Sequence, residues 1–239
     1  MKHAYLKKWL VVAVVWIVPL LAFVAQAADE LSPTAEQAWQ RLKDGNERFA
    51  TDRVEGKDVG SARRKELTTG QHPFAIVLSC ADSRVPPEII FNQGLGDIFV
   101  VRVAGNISEP FALGSIDYAV EHLHVPLIVV LGHEKCGAVA AALGTEKPGG
   151  NLGKLIGEIH VGEHLSTNKD DALADGVENN VRFQTKLLTE RSEVIREYIQ
   201  QKKLQIVAGV YDLATGKVRW LEAKSQSLDR HRHVGENDR

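Results

Sequence analysis

The sequence predicts an α/β domain in which helices flank a mostly parallel β-sheet with an antiparallel edge strand. Helical patterns alternate with short runs rich in valine and isoleucine, which is the order of elements in a parallel sheet covered by helices. The runs are apolar throughout, as in strands that are buried on both faces. They comprise residues 74–78, 98–103, 127–131 and 204–210. A turn at residues 214–217 leads into residues 218–221, which predicts the antiparallel edge strand.

Capping residues and apolar spacing predict the helices. Ser32 and Pro33 open the first helix as N-cap and first helical residue, and the helix continues to about residue 50. Residues 51–60 are polar and predict a loop, and the polar residues after Ser225 predict a loose C-terminal tail. The remaining helical patterns cover residues 110–123, 137–143, 152–164 and 171–201, the last with a break near Thr189.

Residues 1–27 are predicted to be a secretory signal peptide. Three lysines within the first eight residues precede an uncharged apolar run, and Ala25-Gln26-Ala27 is a small-residue cleavage pattern. The alternative is an uncleaved membrane anchor, since the 20 uncharged residues 9–28 are just long enough to span a bilayer. We expect cleavage, so residues 28–239 form a single α/β domain with an N-terminal helical arm, periplasmic or secreted and without stable membrane insertion.

Composition excludes two classes of protein. The 239 residues include 29 lysines and arginines against 31 acidic residues, for a formal net charge of -2. Nucleic-acid-binding proteins usually carry a basic excess, so the balance argues against a nucleic-acid partner. Only two cysteines are present, which excludes a disulfide-rich scaffold.

Two clusters of reactive side chains follow predicted strands directly. Cys80, Asp82 and Arg84 come after the first strand, and His133 and Cys136 after the third. Functional groups of open parallel sheets collect past the carboxyl ends of the strands, so we expect both clusters on one rim. Two thiolates and an imidazole are zinc ligands, and three protein ligands leave a fourth position for water or substrate. Asp82 either supplies a fourth oxygen ligand or pairs with Arg84 and leaves the metal open.

Two interpretations without a metal compete with this one. Cys80 and Cys136 could form a disulfide in an oxidising compartment, or they could be two buried apolar thiols. Neither interpretation explains the presence of His133, Asp82 and Arg84 at the same rim, so we favour the metal site.

The pattern Cys80-x-Asp82-x-Arg84 with His133-x-x-Cys136-Gly137 resembles the signature of the β-class carbonic anhydrases. The likeness extends over residues 34–143 and, more weakly, over residues 204–211. It implies that Cys80, His133 and Cys136 bind one catalytic zinc ion per chain. It also implies that Asp82 and Arg84 form a dyad that keeps the fourth metal position open.

The same resemblance assigns further residues. It implies that Gln71 hydrogen-bonds the substrate and that Phe99 and Tyr118 line a small apolar pocket, often across a dimer interface. Gly137 would provide close backbone approach near the metal. The implied assembly is a homodimer or a higher even homo-oligomer.

The activity implied by the resemblance is the reversible hydration of carbon dioxide to bicarbonate and a proton by zinc-bound hydroxide. Two alternatives stay open at this point. One is hydrolysis of another small heterocumulene, such as carbon disulfide, on the same scaffold. The other is a non-catalytic zinc-binding or thiol-redox module.

Overall fold

The computed structural model describes residues 33–146, 148–163 and 165–222 and contains one five-stranded sheet. The strand order is β2-β1-β3-β4-β5, with β5 antiparallel to β4 and the other neighbours parallel. This arrangement confirms the predicted fold class. The strands are β1 (Ala75–Ser79), β2 (Ile98–Arg102), β3 (Leu127–His133), β4 (Gln205–Tyr211) and β5 (Val218–Leu221).

Burial explains why the central strands lack polar alternation. Every residue of β1 and β3 is buried, because each strand lies between two neighbours and beneath helices. The helices are α1 (Ala35–Ala50), α2 (Ser61–Glu66), α3 (Pro87–Ile90), α4 (Pro110–Leu123), α5 (Gly137–Leu143), α6 (Gly150–Gly157), α7 (Lys169–Arg191) and α8 (Glu193–Gln200).

The first helix begins later than the sequence predicts. Its N-cap is Thr34, whose hydroxyl accepts the Gln37 N–H while the Gln37 side chain accepts the Thr34 N–H. The prediction that Ser32 is the N-cap was wrong, because this reciprocal capping box fixes the start at Ala35; Ser32 itself lies outside the described residues.

Two other boundaries also differ from the prediction. The helix predicted over residues 152–164 is α6, which ends at Gly157. The break in the long helix falls at Ser192 rather than Thr189, because the Ser192 hydroxyl accepts the Ile195 N–H and caps α8. The short helices α2 and α3 were not predicted, since six and four residues carry too little periodicity.

The predicted signal peptide and the tail beyond Ser225 lie outside the described residues, so both stay predictions. Among the residues that the structure describes, no helix combines the length and apolar character needed to cross a bilayer.

Candidate metal centre

The predicted rim brings together three side chains that carry metal-binding atoms. Cys80 follows β1, His133 is the last residue of β3, and Cys136 is the N-cap of α5. Because β1 and β3 are adjacent parallel strands with Ser79 level with Leu131, their carboxyl ends meet. The two sulfur atoms and a ring nitrogen of His133 all lie within 4.8 Å of one another, and all three residues are buried.

The separation of the sulfur atoms suits a shared metal ion. Cys80 Sγ and Cys136 Sγ are 4.0 Å apart, and both cysteines are free. Two thiolates on one tetrahedral zinc ion, each bonded at about 2.3 Å, would be separated by about 3.8 Å. The observed distance is therefore close to the metal-bound value and about twice the length of a disulfide bond.

His133 presents an unpartnered nitrogen to the two sulfur atoms. Its Nδ1 lies 2.8 Å from the Glu134 carbonyl oxygen, so Nδ1 carries the hydrogen and Nε2 the lone pair. His133 is 1% exposed, and its Nε2 makes no hydrogen bond within the described chain. A buried ring nitrogen oriented in this way through its other nitrogen is typical of a metal ligand.

The charges at the rim also favour a cation. The Cys136 thiol, as hydrogen-bond donor, lowers the pKa of Cys80, and nearby backbone N–H groups act in the same direction against the effect of burial. The pKa of Cys136 is raised because its proton is held by the Cys80 sulfur and because burial disfavours a second anion. A divalent cation between the two sulfur atoms would stabilise both thiolates.

Asp82 is paired with Arg84. Arg84 Nε and Nη2 donate to the two carboxylate oxygens at 2.9 and 2.7 Å, and the Arg84 backbone N–H donates at 2.9 Å. The Arg84 side chain holds the pKa of Asp82 well below its usual range, against a smaller effect of burial. Asp82 Oδ2 comes no closer to His133 Nε2 than 3.9 Å, so the carboxylate borders the ligand cluster without joining it.

Two further groups support the Cys80 loop and were not assigned from the sequence. Arg102 Nε donates to the Cys80 carbonyl oxygen at 3.0 Å, and Arg102 Nη2 donates to the Asp82 carbonyl oxygen. The Gly105 N–H donates to Cys80 Sγ at 3.3 Å. The sequence signal for Arg102 was its position at the end of β2, level with Ser79, which places it on the same rim.

Three of the residues expected to bind substrate lie away from the ligand cluster of the same chain. Gln71 is exposed four residues before β1, and Phe99 is level with Ile76. The Tyr118 ring lies 6.5 Å from the Phe99 ring. Ile76 precedes Cys80 by four residues, about 13 Å of strand, so these side chains lie toward the amino ends of the strands while the ligands lie at the carboxyl ends.

Gly137 is the exception among the residues expected to bind substrate. It is the first residue of α5, directly after Cys136, and it is exposed. A Cβ at this position would meet no atom within 4 Å, so the backbone beside Cys136 borders open space.

Comparisons with known proteins agree with this geometry. A family model described as carbonic anhydrase matches residues 75–218. Carbonic anhydrase 2 of Mycobacterium tuberculosis is 43% identical over 185 residues, which are 75% of this chain and 89% of the relative.

Two solved structures share the fold. The β-carbonic anhydrase CafA of Aspergillus fumigatus superposes with a TM-score of 0.60 at 33% identity, over 68% of this chain and 83% of that chain. One of the structures described as tetrameric β-carbonic anhydrases of Sordaria macrospora gives a TM-score of 0.60 at 29% identity, over 67% of this chain and 86% of that chain.

Proposed function

The chain belongs to the β-class carbonic anhydrases, which catalyse the reversible hydration of carbon dioxide to bicarbonate and a proton, and we propose that it does so at one zinc ion held by Cys80, His133 and Cys136. The observation that carries the proposal is the buried cluster of two sulfur atoms and one ring nitrogen within 4.8 Å. Zinc bound there would act as a Lewis acid that lowers the pKa of a water molecule in the site, by less than at an all-histidine site because the two thiolates balance its charge.

The three ligands suit zinc in number and charge. Two thiolates balance the double positive charge, and neutral His133 adds a nitrogen ligand without further charge. The Glu134 carbonyl accepts the Nδ1 hydrogen of His133 and so holds the ring with Nε2 toward the sulfur atoms. Three protein ligands leave one position for water or substrate, as catalytic zinc sites require.

In this proposal Asp82 accepts a hydrogen bond from the reacting water. Arg84 binds both carboxylate oxygens, which keeps Asp82 ionised and fixes its Oδ2 at the border of the ligand cluster. An ionised carboxylate accepts hydrogen bonds and does not donate them, so it orients water with the oxygen lone pair free for attack on carbon dioxide. Because Arg84 occupies the carboxylate, Asp82 leaves the fourth metal position open.

Removal of zinc tests the proposed function directly. We expect dialysis against a strong chelator to abolish carbon dioxide hydration in a stopped-flow proton-release assay, and readdition of zinc to restore the rate. The rate should follow the zinc content in proportion, because one ion per chain carries the reaction. An unchanged rate in zinc-free protein would contradict the proposal.

We also propose that two copies of the chain assemble across the β2 edge. β2 is at the end of the sheet, and no strand of the described chain pairs with its outer side. Phe111 and Tyr118 on α4 are 87% and 47% exposed, and the Tyr118 ring lies beside Phe99 of β2. An unpaired strand edge beside exposed aromatic side chains is a surface that a partner would cover.

A twofold axis at this edge would also complete the site. With the axis perpendicular to the strands, the two β2 strands would run antiparallel, so the amino end of one sheet would meet the carboxyl end of the other. Gln71, Phe99 and Tyr118 of one copy would then approach the ligand cluster of its partner. The structures described as tetrameric from Sordaria macrospora support assembly in general.

Phe111→Glu tests this interface. We expect it to weaken the dimer by at least about 30-fold, since a charge would replace an interfacial aromatic side chain, and to lower activity while zinc content stays unchanged. Sedimentation equilibrium and the proton-release assay measure the two effects. Leu152→Glu on α6 is the control, because Leu152 is 56% exposed on a different helix. A fully active monomer, or equal effects of both variants, would contradict the proposed interface.

We further propose that the protein is exported to the periplasm or secreted. The support is the order of charged, apolar and small residues in positions 1–27. Amino-terminal sequencing of the exported protein should begin at Ala28, and a start at Met1 would show an uncleaved anchor.

A further inference from the structure

The longest helix carries two amide side chains in its buried stripe. α7 packs on β3 and β4, with Val177, Val181 and Leu188 in the core. Asn180 and Gln184 lie in the same stripe and are 0% and 1% exposed. An amide in this environment is costly unless its polar atoms are hydrogen-bonded, so the partners of these two side chains show what they hold.

Both amides bind the loop that follows β2. Asn180 Nδ2 donates to the Gly105 carbonyl oxygen at 2.8 Å. Asn180 Oδ1 accepts from the His160 N–H at 3.1 Å and from Gln184 Nε2 at 3.3 Å. Gln184 Oε1 accepts the backbone N–H and the hydroxyl of Ser108 at 2.8 and 2.9 Å.

Gly105 links this network to the ligand cluster. Its N–H donates to Cys80 Sγ at 3.3 Å, and its carbonyl accepts from Asn180, so the residue is held on both sides. Its φ is 72°, in the left-handed region that favours glycine. A Cβ there would lie 2.6 Å from Ile159 Cδ1, so the loop fits closely against its neighbours.

An N–H bond to a thiolate withdraws charge from the sulfur. Loss of the bond therefore raises the energy of the sulfur lone pairs and leaves the anion less stabilised. Without Asn180 the buried Gly105 carbonyl would lack its partner, and the turn would shift to find another one.

We propose that Asn180 is a positioning residue for the metal centre: it holds the Gly105 carbonyl and thereby keeps the Gly105 N–H on the Cys80 sulfur. This inference rests on the proposed zinc site. It assigns to α7 a role in setting the strength of the Cys80–metal bond, in addition to its role in the core.

The test compares neighbouring asparagines in the cobalt(II)-substituted protein. Asn179 Nδ2 donates to the Val161 carbonyl at 2.9 Å, so it makes the same kind of bond from the same helix, away from Gly105. In Asn180→Leu we expect the thiolate-to-cobalt absorption band at longer wavelength and zinc retention against a competing chelator about tenfold weaker. In Asn179→Leu we expect the wild-type band and zinc retention.

The possible results separate failure of the positioning role from failure of the zinc site. A wild-type band in Asn180→Leu, or an equal shift in Asn179→Leu, would overturn the positioning role. If the wild-type protein itself showed no thiolate-to-cobalt band, the zinc site would be wrong. Thermal unfolding of both variants without metal reports any general loss of stability.

A measurement without a substitution applies even if Asn180→Leu does not fold. In the cadmium-113-substituted wild-type protein, the Gly105 amide proton should show scalar coupling to the metal through the Cys80 sulfur. Absence of that coupling, in a protein whose Cys80 is bound to cadmium, would show that no N–H···S bond exists and would overturn the inference.

Discussion

Replacing Cys80 with serine is expected to remove zinc and carbonic anhydrase activity together. A serine hydroxyl keeps its proton near neutral pH, so the substitution exchanges an anionic sulfur ligand for a weak neutral one. Loss of a partner that only supports a ligand costs about 10- to 100-fold in metal affinity or activity, so loss of the ligand should cost at least about 100-fold. Zinc per chain by mass spectrometry and the proton-release rate measure the two effects.

Ser83→Ala is the matched control, because Ser83 is exposed in the same loop and makes no side-chain hydrogen bond within the described residues. It should retain both zinc and activity. Metal-free Cys80→Ser should unfold at a temperature close to that of the metal-free wild type, which shows that the fold is intact. A Cys80→Ser protein with a full complement of zinc would show that the ligand assignment is wrong.

Replacing Asp82 with asparagine is expected to separate zinc binding from catalysis. Asparagine has nearly the same shape, but it offers one acceptor oxygen where the carboxylate offers two, and it leaves the Arg84 charge without its counter-ion. The three ligands remain, so zinc content should stay near one per chain. We expect kcat/KM to fall by about 10- to 100-fold, because the reacting water loses its oriented acceptor.

Glu88→Gln provides the control for loss of a carboxylate, since Glu88 is exposed on α3 and makes no side-chain hydrogen bond within the described chain. It should keep the wild-type rate. Full activity in Asp82→Asn would remove Asp82 from the mechanism, and loss of zinc from that variant would show that Asp82 supports the metal itself.

The strands could be predicted because their burial leaves a signature in the sequence. The run at residues 127–131 is apolar throughout because β3 is buried on both faces. Its true end at His133 was not evident, because His133 extends the strand through its pairing with Tyr211 of β4, about 80 residues away in the sequence. The helix starts after Thr34 and Ser192 depend on one or two side-chain capping bonds, which several nearby residues could have supplied.

The ligand cluster could be predicted because each ligand lies at or just past the carboxyl end of a strand, so the strand assignment also places the ligand. The support for the cluster could not be predicted in the same way. Asn180 reaches Gly105 across 75 residues of sequence, and its amide interrupts a stripe in which the helical pattern alone suggests an apolar residue. In the proposed dimer, the positions of Gln71 and Phe99 relative to the ligands depend on how two sheets meet, which the sequence of one chain does not specify.

X-ray absorption at the zinc edge of the isolated wild-type protein tests the ligand set most directly. We predict two sulfur neighbours at about 2.3 Å and one histidine nitrogen at about 2.0 to 2.1 Å, with one further light atom. A zinc ion with fewer than two sulfur neighbours, or a protein whose Cys80 and Cys136 are joined as a disulfide, would contradict the account.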